Sequence, residues 1–300
     1  MNSDFKNYLY VFIAGTLWGT VSIFVKSMQG AGSNNYYTSF LRVFIGFILL
    51  ALLTLYKEGF KAFYINRQTL ISCILLGIFT QGLFNLTYST SINYIGASLG
   101  AVLLYTAPLF TTIFSYFLFK EKITYFKLIA LFVNILGCAF TITGGHFSSV
   151  TFNTKGVFIG IAAGFFYSLA AIFGRYTAGQ ASSLVVTTYN FLFASLFLGI
   201  SLRPWHSVSD PLNAKLLLLG LGYAIIPTAL AYLIYFTGVQ RIKETSKVPI
   251  AASIETVSAT LVGIFIFHES LGIGNLLGIV LVLSSIVIMN LNSRKSSKIS

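Results

Sequence analysis

Charge is what this chain has least of. Only 9% of its residues are charged, and seven are acidic, against roughly 25% charged in an ordinary soluble domain. With 56% hydrophobic residues, it has too little polar surface to cover itself in water, which excludes a soluble globular protein. Cysteine is scarce too. Cys73 and Cys138 both fall inside apolar runs, which excludes a disulfide framework and leaves the redox compartment unread. The three histidines, His146, His206 and His268, stand at the ends of apolar runs or between them. No HExxH occurs, nor a carboxylate pair within one apolar run, so no metal and no cofactor is expected. No connection is long enough for a separate soluble domain. No cleavable signal is read either, because the apolar run from Tyr8 is long enough to be a first span.

What the chain does have is regularly spaced apolar runs of helical length. They argue for a helical bundle over a barrel of short alternating strands. Ten spans are expected, roughly 8–28, 37–56, 70–90, 97–119, 125–145, 156–175, 185–203, 215–238, 248–267 and 272–292. The net charge of +12 is read as bases flanking membrane spans, not as a nucleic-acid surface, and the C-terminal Arg294, Lys295 and Lys298 fit that role. An N-terminus in the cytoplasm sorts 14 of the 19 Lys and Arg to the cytoplasmic side and four to the outside, and leaves Arg42 within a span. That asymmetry predicts both termini in the cytoplasm.

The fourth run, Gly96–Phe119, has no charge, carries Pro108 near its middle and ends at Lys120-Glu121. Val248–Phe267 repeats the design and ends at His268-Glu269, an offset of 148 residues from Glu121 to Glu269. Where the first copy has Ala107-Pro108, the second has Glu255-Thr256. The segment Gly15–Lys26 matches Gly164–Arg175, with Trp18 opposite Tyr167, and Tyr88–Ile95 matches Tyr235–Ile242. The chain is therefore read as two five-span units, residues 1–146 and 147–300. Five is odd, so the second unit enters the membrane upside down. That is the inverted-repeat plan of secondary transporters, whose substrate sites lie near the midplane between repeats.

These motifs resemble the drug/metabolite transporter superfamily, specifically its EamA-type ten-helix members. The resemblance covers nearly the whole chain. It rests on Trp18-Gly19, Phe40-Leu41-Arg42, Ala107-Pro108 through Glu121, Ala231-Tyr232 through Tyr235, Ser253-Ile254-Glu255 and Phe267-His268-Glu269. Members often carry Glu-Pro in the ninth span; here Thr256 follows Glu255. The resemblance implies a central cavity lined by spans one to four and six to nine, alternating access, and movement of a small metabolite, with a lean towards export (efflux).

Glu255 is the one acid placed deep in the membrane. Such a carboxylate usually faces a cavity or a partner, so it is a candidate for proton exchange or for holding a substrate cation, against a structural role bonded to neighbouring helices. Arg42 is the one base well inside a span, a candidate for a substrate carboxylate or for snorkelling outward. Their depths differ by roughly 12 Å on helix rise, which argues against a direct ion pair. Gln81, Asn85 and Tyr88 share one helix face, and Tyr232 and Tyr235 share the matching face of the eighth span; each stripe lines a cavity or glues helices together. Trp18 and Tyr167 sit at matching depths, suited to stacking on substrate or to packing. Tyr105 and Ser253 complete the candidate lining.

The expectation is thus a secondary transporter of an amino acid or similar amphipathic solute in the cytoplasmic membrane, and not an enzyme. A multidrug or a nucleoside and organic-cation transporter of the same fold is the alternative. An intramembrane enzyme fits less well: the GxSxG string Gly96–Gly100 follows a membrane helix, where a nucleophile elbow needs a strand. A channel lacks a filter-like sequence. The expected partners are a small-molecule substrate and the lipid bilayer, with proton coupling open, no nucleic acid, and a monomer or homodimer.

Overall fold

The computed structural model describes residues 3–146, 153–210 and 212–291. Arg294, Lys295 and Lys298 lie outside the described residues, as does residue 147, where the second unit was expected to begin. Among the described residues the chain is helical throughout, with no strand. The fold is an all-α membrane bundle of ten spans in two inverted five-helix repeats.

Span one is Ser3–Trp18 and Val21–Gly30, broken at Gly19-Thr20. Span two is Asn35–Glu58. Helix then runs from Arg67 to Leu104, 38 residues, or about 57 Å, nearly twice the hydrocarbon core. Gly96 resolves the excess. Its φ of 79° is non-helical, a left-handed conformation that costs glycine little, and the chain reverses there. Span three therefore ends at Ile95. Span four consists of residues 97–104 and Ala107–Phe119. Spans five to ten are Tyr125–Thr143, Thr154–Tyr176, Ser183–Leu202, Ala214–Val239, Val248–Phe267 and Ile273–Leu291.

The repeat reaches details below the resolution of the sequence match. Spans three and eight each pass through a π-helical stretch, Leu76–Leu83 and Ala224–Leu230. Spans four and nine each break mid-membrane, at Tyr105-Thr106 and at Ser253, which differ by the same 148 residues. Pro108, near the middle of its apolar run, stands not in a helix interior but in the first turn of Ala107–Phe119, where its missing N–H leaves no hydrogen bond unmade. Glu255 occupies the matching first turn of Ile254–Phe267, where the helix dipole favours a negative charge.

Packing follows the same two-fold plan. Span one packs on spans eight and nine as span six packs on three and four, while spans two and seven, and five and ten, pair with each other. Close approach is set by glycine. A Cβ at Gly15 would lie 2.6 Å from Ala252 O, and one at its repeat partner Gly164 would lie 3.0 Å from Leu103 O. The broken ends of spans nine and four are thus held against spans one and six.

Candidate functional site

A cavity of about 520 Å³ opens between the repeats at the Gly96 end of the bundle. Its mouth is lined by Lys26, Gln29, Asn35 and Ala97, and its depth by Trp18, Arg42, Asn85, Tyr88, Tyr167, Tyr232 and Glu255. The floor is aromatic. The Trp18 ring lies 6.4 Å from Tyr167, 5.0 Å from Tyr232 and 5.1 Å from Tyr235.

Arg42 lies on the wall, 6% exposed. Its Nη2 donates to Gln81 Oε1 at 3.1 Å, and its guanidinium faces the Tyr223 ring at 5.6 Å. It neither snorkels nor makes an ion pair among the described residues. Its Nε, with Gln81 Nε2 and Trp18 Nε1, is a buried donor without a partner. Glu255 faces the same space and interacts with the Tyr167 hydroxyl. Arg42 and Glu255 therefore share one cavity without touching each other.

Other candidates fall elsewhere. Gln81 is fully buried behind Arg42 and Tyr235 beneath the aromatic floor, and neither lines the cavity. Ser253 is 1% exposed and accepts from Asn134 Nδ2 at 2.6 Å, a bond between spans nine and five. Tyr105 lines a smaller cavity of about 300 Å³ between spans four, five, nine and ten, which also reaches Glu255 and runs to Glu269 and Asn275. Sequence reasoning missed Ser22, Thr38, Ser39 and Tyr223 in the main cavity. The signal for two of them was present: Thr38 and Ser39 stand four and three residues before Arg42, on its helix face.

The opposite end of the bundle is shut. Glu121 accepts from Thr245 N at 2.5 Å, Ser246 N at 3.1 Å and Ser246 Oγ at 2.5 Å. Lys127 Nζ lies 3.1 Å from Glu244 Oε1 and 3.7 Å from Glu121 Oε2, and Lys247 pairs with Glu244. Burial pushes Glu244 upward, but the hydrogen bond and charge of Lys247, then the charge of Lys127, outweigh it and hold the carboxyl below its usual range. The described residues thus form a cavity open at the Gly96 end and floored with aromatics, with a charged network across the opposite end.

The EamA-like transporter family matches residues 5–143 and again residues 154–291. The chain belongs to that family. It is similar to an uncharacterized transporter of Archaeoglobus fulgidus, 27% identical over 93% of this chain and 94% of the relative. It is also similar to YicL, an uncharacterized inner membrane transporter of Salmonella typhimurium, 24% identical over 99% of both chains. A crystal structure 18% identical covers 96% of this chain and 99% of its own, with a TM-score of 0.78, and supports the fold alone. Within this family of transporters the broken spans and the one-ended cavity take their meaning: this is a multi-pass membrane transporter.

Proposed function

We propose that the chain is a secondary transporter that exports a small zwitterionic, amphipathic metabolite such as an amino acid across the cytoplasmic membrane by alternating access. The observation that carries this reading is the pairing of unsatisfied donors with a lone acid in one cavity. Arg42 and Trp18 line the cavity, and their Nε and Nε1 donors are buried without partners behind its wall. Leaving such donors buried costs about 1–3 kcal/mol each, which either side chain would recover by turning its donor to a substrate carboxylate. Glu255, with the faces of Trp18 and Tyr167, offers a place for an ammonium group. Val21, Val25, Ile92 and Leu104 supply an apolar wall between them.

The basic residues support a cytoplasmic Glu121 end and cytoplasmic termini, so the cavity faces outward in this conformation. The bodies that rock are span one with spans eight and nine, and span six with spans three and four, each drawn from both sequence halves, residues 1–146 and 147–300. Glu255 is the proton carrier if transport is proton-coupled, a second reading favoured by its place on both cavities. The names of the relatives support a carrier over an enzyme.

Thermal unfolding of purified protein against amino acids, amines, nucleosides and drugs, at two pH values, tests the substrate class. A ligand at a hundred times its Kd adds about 2.7 kcal/mol. Amino acids are expected to raise Tm, and Arg42→Gln and Glu255→Gln each to abolish the rise. A rise with amines or nucleosides alone would favour the multidrug or nucleoside alternative and overturn the zwitterion reading.

A further inference from the structure

The two ends of the bundle share an acid, an aromatic ring, a base and a serine in two different arrangements. Lys127, Glu244 and Lys247 of the shut end have no charged counterpart at the other, where the repeat offset gives Asn275, Gly96 and Leu99. By the repeat offset of 148, Glu121 corresponds to Glu269, Phe119 to Phe267 and Ser246 to Ser98. The two helix ends are congruent. Glu121 N donates to Ser115 O at 3.2 Å and Glu269 N to Gly263 O at 3.0 Å. The residues before them, Lys120 and His268, are left-handed with φ of 56° and 54°.

What differs is where the carboxylates go. Glu121 is docked on the N–H groups of Thr245 and Ser246 and on the Ser246 hydroxyl, and its end is shut. Glu269 is exposed and pairs instead with Lys26 Nζ at 3.1 Å, and its end is open. The base of the first repeat, Lys26, corresponds to Arg175 in the aligned segment of the second. Lys26 Nζ sits 3.7 Å over the Phe267 ring, and the Arg175 guanidinium 5.6 Å over the Phe119 ring. Where the acid has docked, the base is left over: Arg175 Nη1 is buried without a partner. Where the base holds the acid, the serine is left over. Ser98 is exposed at the start of the helical stretch after Gly96, where first-turn N–H groups have no intrahelical partner.

We propose that Glu269 and Ser98 are gating residues that make, when the Gly96 end closes, the bond Glu121 and Ser246 make now. Lys26 and Arg175 are the alternative partners that hold each acid while its end is open. Each carboxylate moves between a base of its own packed group, spans one, eight and nine for Glu269 and spans three, four and six for Glu121, and a serine turn on the other group. The cycle exchanges one docked acid for the other, so the bonds that Glu121 loses at one end are regained by Glu269 at the other. This inference rests on the alternating-access reading and adds to it the residues that hold each end.

Ser89 lines the main cavity and is half-buried, so labelling of Ser89→Cys by N-ethylmaleimide in purified protein reports whether the Gly96 end is open. It is measured above the labelling of the buried Cys73 and Cys138. Glu121→Gln and Ser246→Ala, which loosen the shut end, are each expected to slow labelling, by up to about tenfold, the change in the open-to-closed ratio that loss of a charge-assisted bond produces. Adding Glu269→Gln to Glu121→Gln is expected to bring labelling back to within about twofold of its starting rate, because the Gly96 end then has no latch. Lys26→Gln alone, at an exposed position, is expected to slow labelling by freeing Glu269 to dock. Labelling that stays slow in the double variant, or is unchanged or faster in Lys26→Gln, overturns the mirrored latch and leaves alternating access standing. Unchanged labelling in both Glu121→Gln and Ser246→Ala overturns the two together.

Discussion

Replacing Lys127 with methionine measures how far the shut end depends on a buried charge. Lys127 is 6% exposed and reaches two carboxylates, Glu244 Oε1 at 3.1 Å and Glu121 Oε2 at 3.7 Å. Removing one partner of a buried ion pair typically costs about 3–5 kcal/mol, because the remaining charge is stranded. Three features lower that figure here. Glu121 keeps its two backbone donors and the Ser246 hydroxyl. Glu244 keeps Lys247, and its side chain is 40% exposed. Lys127 meets both acids as a charge contact and not as an aligned hydrogen bond. Methionine also preserves the apolar stem of lysine. The expected loss is therefore about 1–2 kcal/mol, or roughly 2–8 °C in Tm at about 2–4 °C per kcal/mol. Thermal unfolding in detergent reads it directly. In a Glu244→Gln background the effect of Lys127→Met is expected to shrink by about 0.5–1 kcal/mol, the signature of coupled groups. An unchanged or higher Tm for Lys127→Met, or strict additivity of the pair, would refute the argument that this network holds the end shut.

Three further outcomes are expected. Asn134 is fully buried and donates to Ser253 and Ser285 at 2.6 and 3.0 Å; interhelical bonds in membranes carry about 0.6 kcal/mol on average and up to about 1.7, so Asn134→Ala should lower stability by about 1–3 kcal/mol in a denaturation series. A Cβ at Gly137 would lie 2.7 Å from Val282 N, so Gly137→Leu should force spans five and ten apart at a cost of about 1–3 kcal/mol, visible as a lower Tm. The Glu244 carboxyl is held below its usual value in the folded protein, so it binds protons more readily when unfolded. Its contribution to stability is complete above the unfolded value of about 4.3 and is lost as pH falls through the lowered folded value. Tm should therefore drop on acidification below about pH 4.3, and drop less in Glu244→Gln.

The fold was legible because hydrophobic length and repeat spacing are written directly in residue order. The ten spans, the inversion and the pairing of Trp18 with Tyr167 all follow from it. Internal breaks were less so. Pro108 marks a helix start rather than a kink because Tyr105 and Thr106 have already left the helix, and nothing in their side chains announces that. The π-helical stretch of span eight contains Pro227, whose missing N–H disturbs the ladder, but that of span three, Leu76–Leu83, has no such marker. At the cavity, depth along a helix was readable and rotation about it was not. Gln81 shares a face with Asn85, yet it turns behind Arg42 while Asn85 reaches the cavity. Glu121 and Glu269 look alike in sequence because they are alike in the repeat. Their different partners belong to the conformation, which no sequence records.

The most direct test of the account is counterflow. Purified protein would be reconstituted into liposomes loaded with an unlabelled amino acid, and entry of the same amino acid in labelled form would be followed. The account predicts transient accumulation above that in protein-free liposomes, lost in Arg42→Gln. No accumulation with any amino acid, or equal accumulation in Arg42→Gln, would contradict the claim that this cavity carries a zwitterion across the membrane.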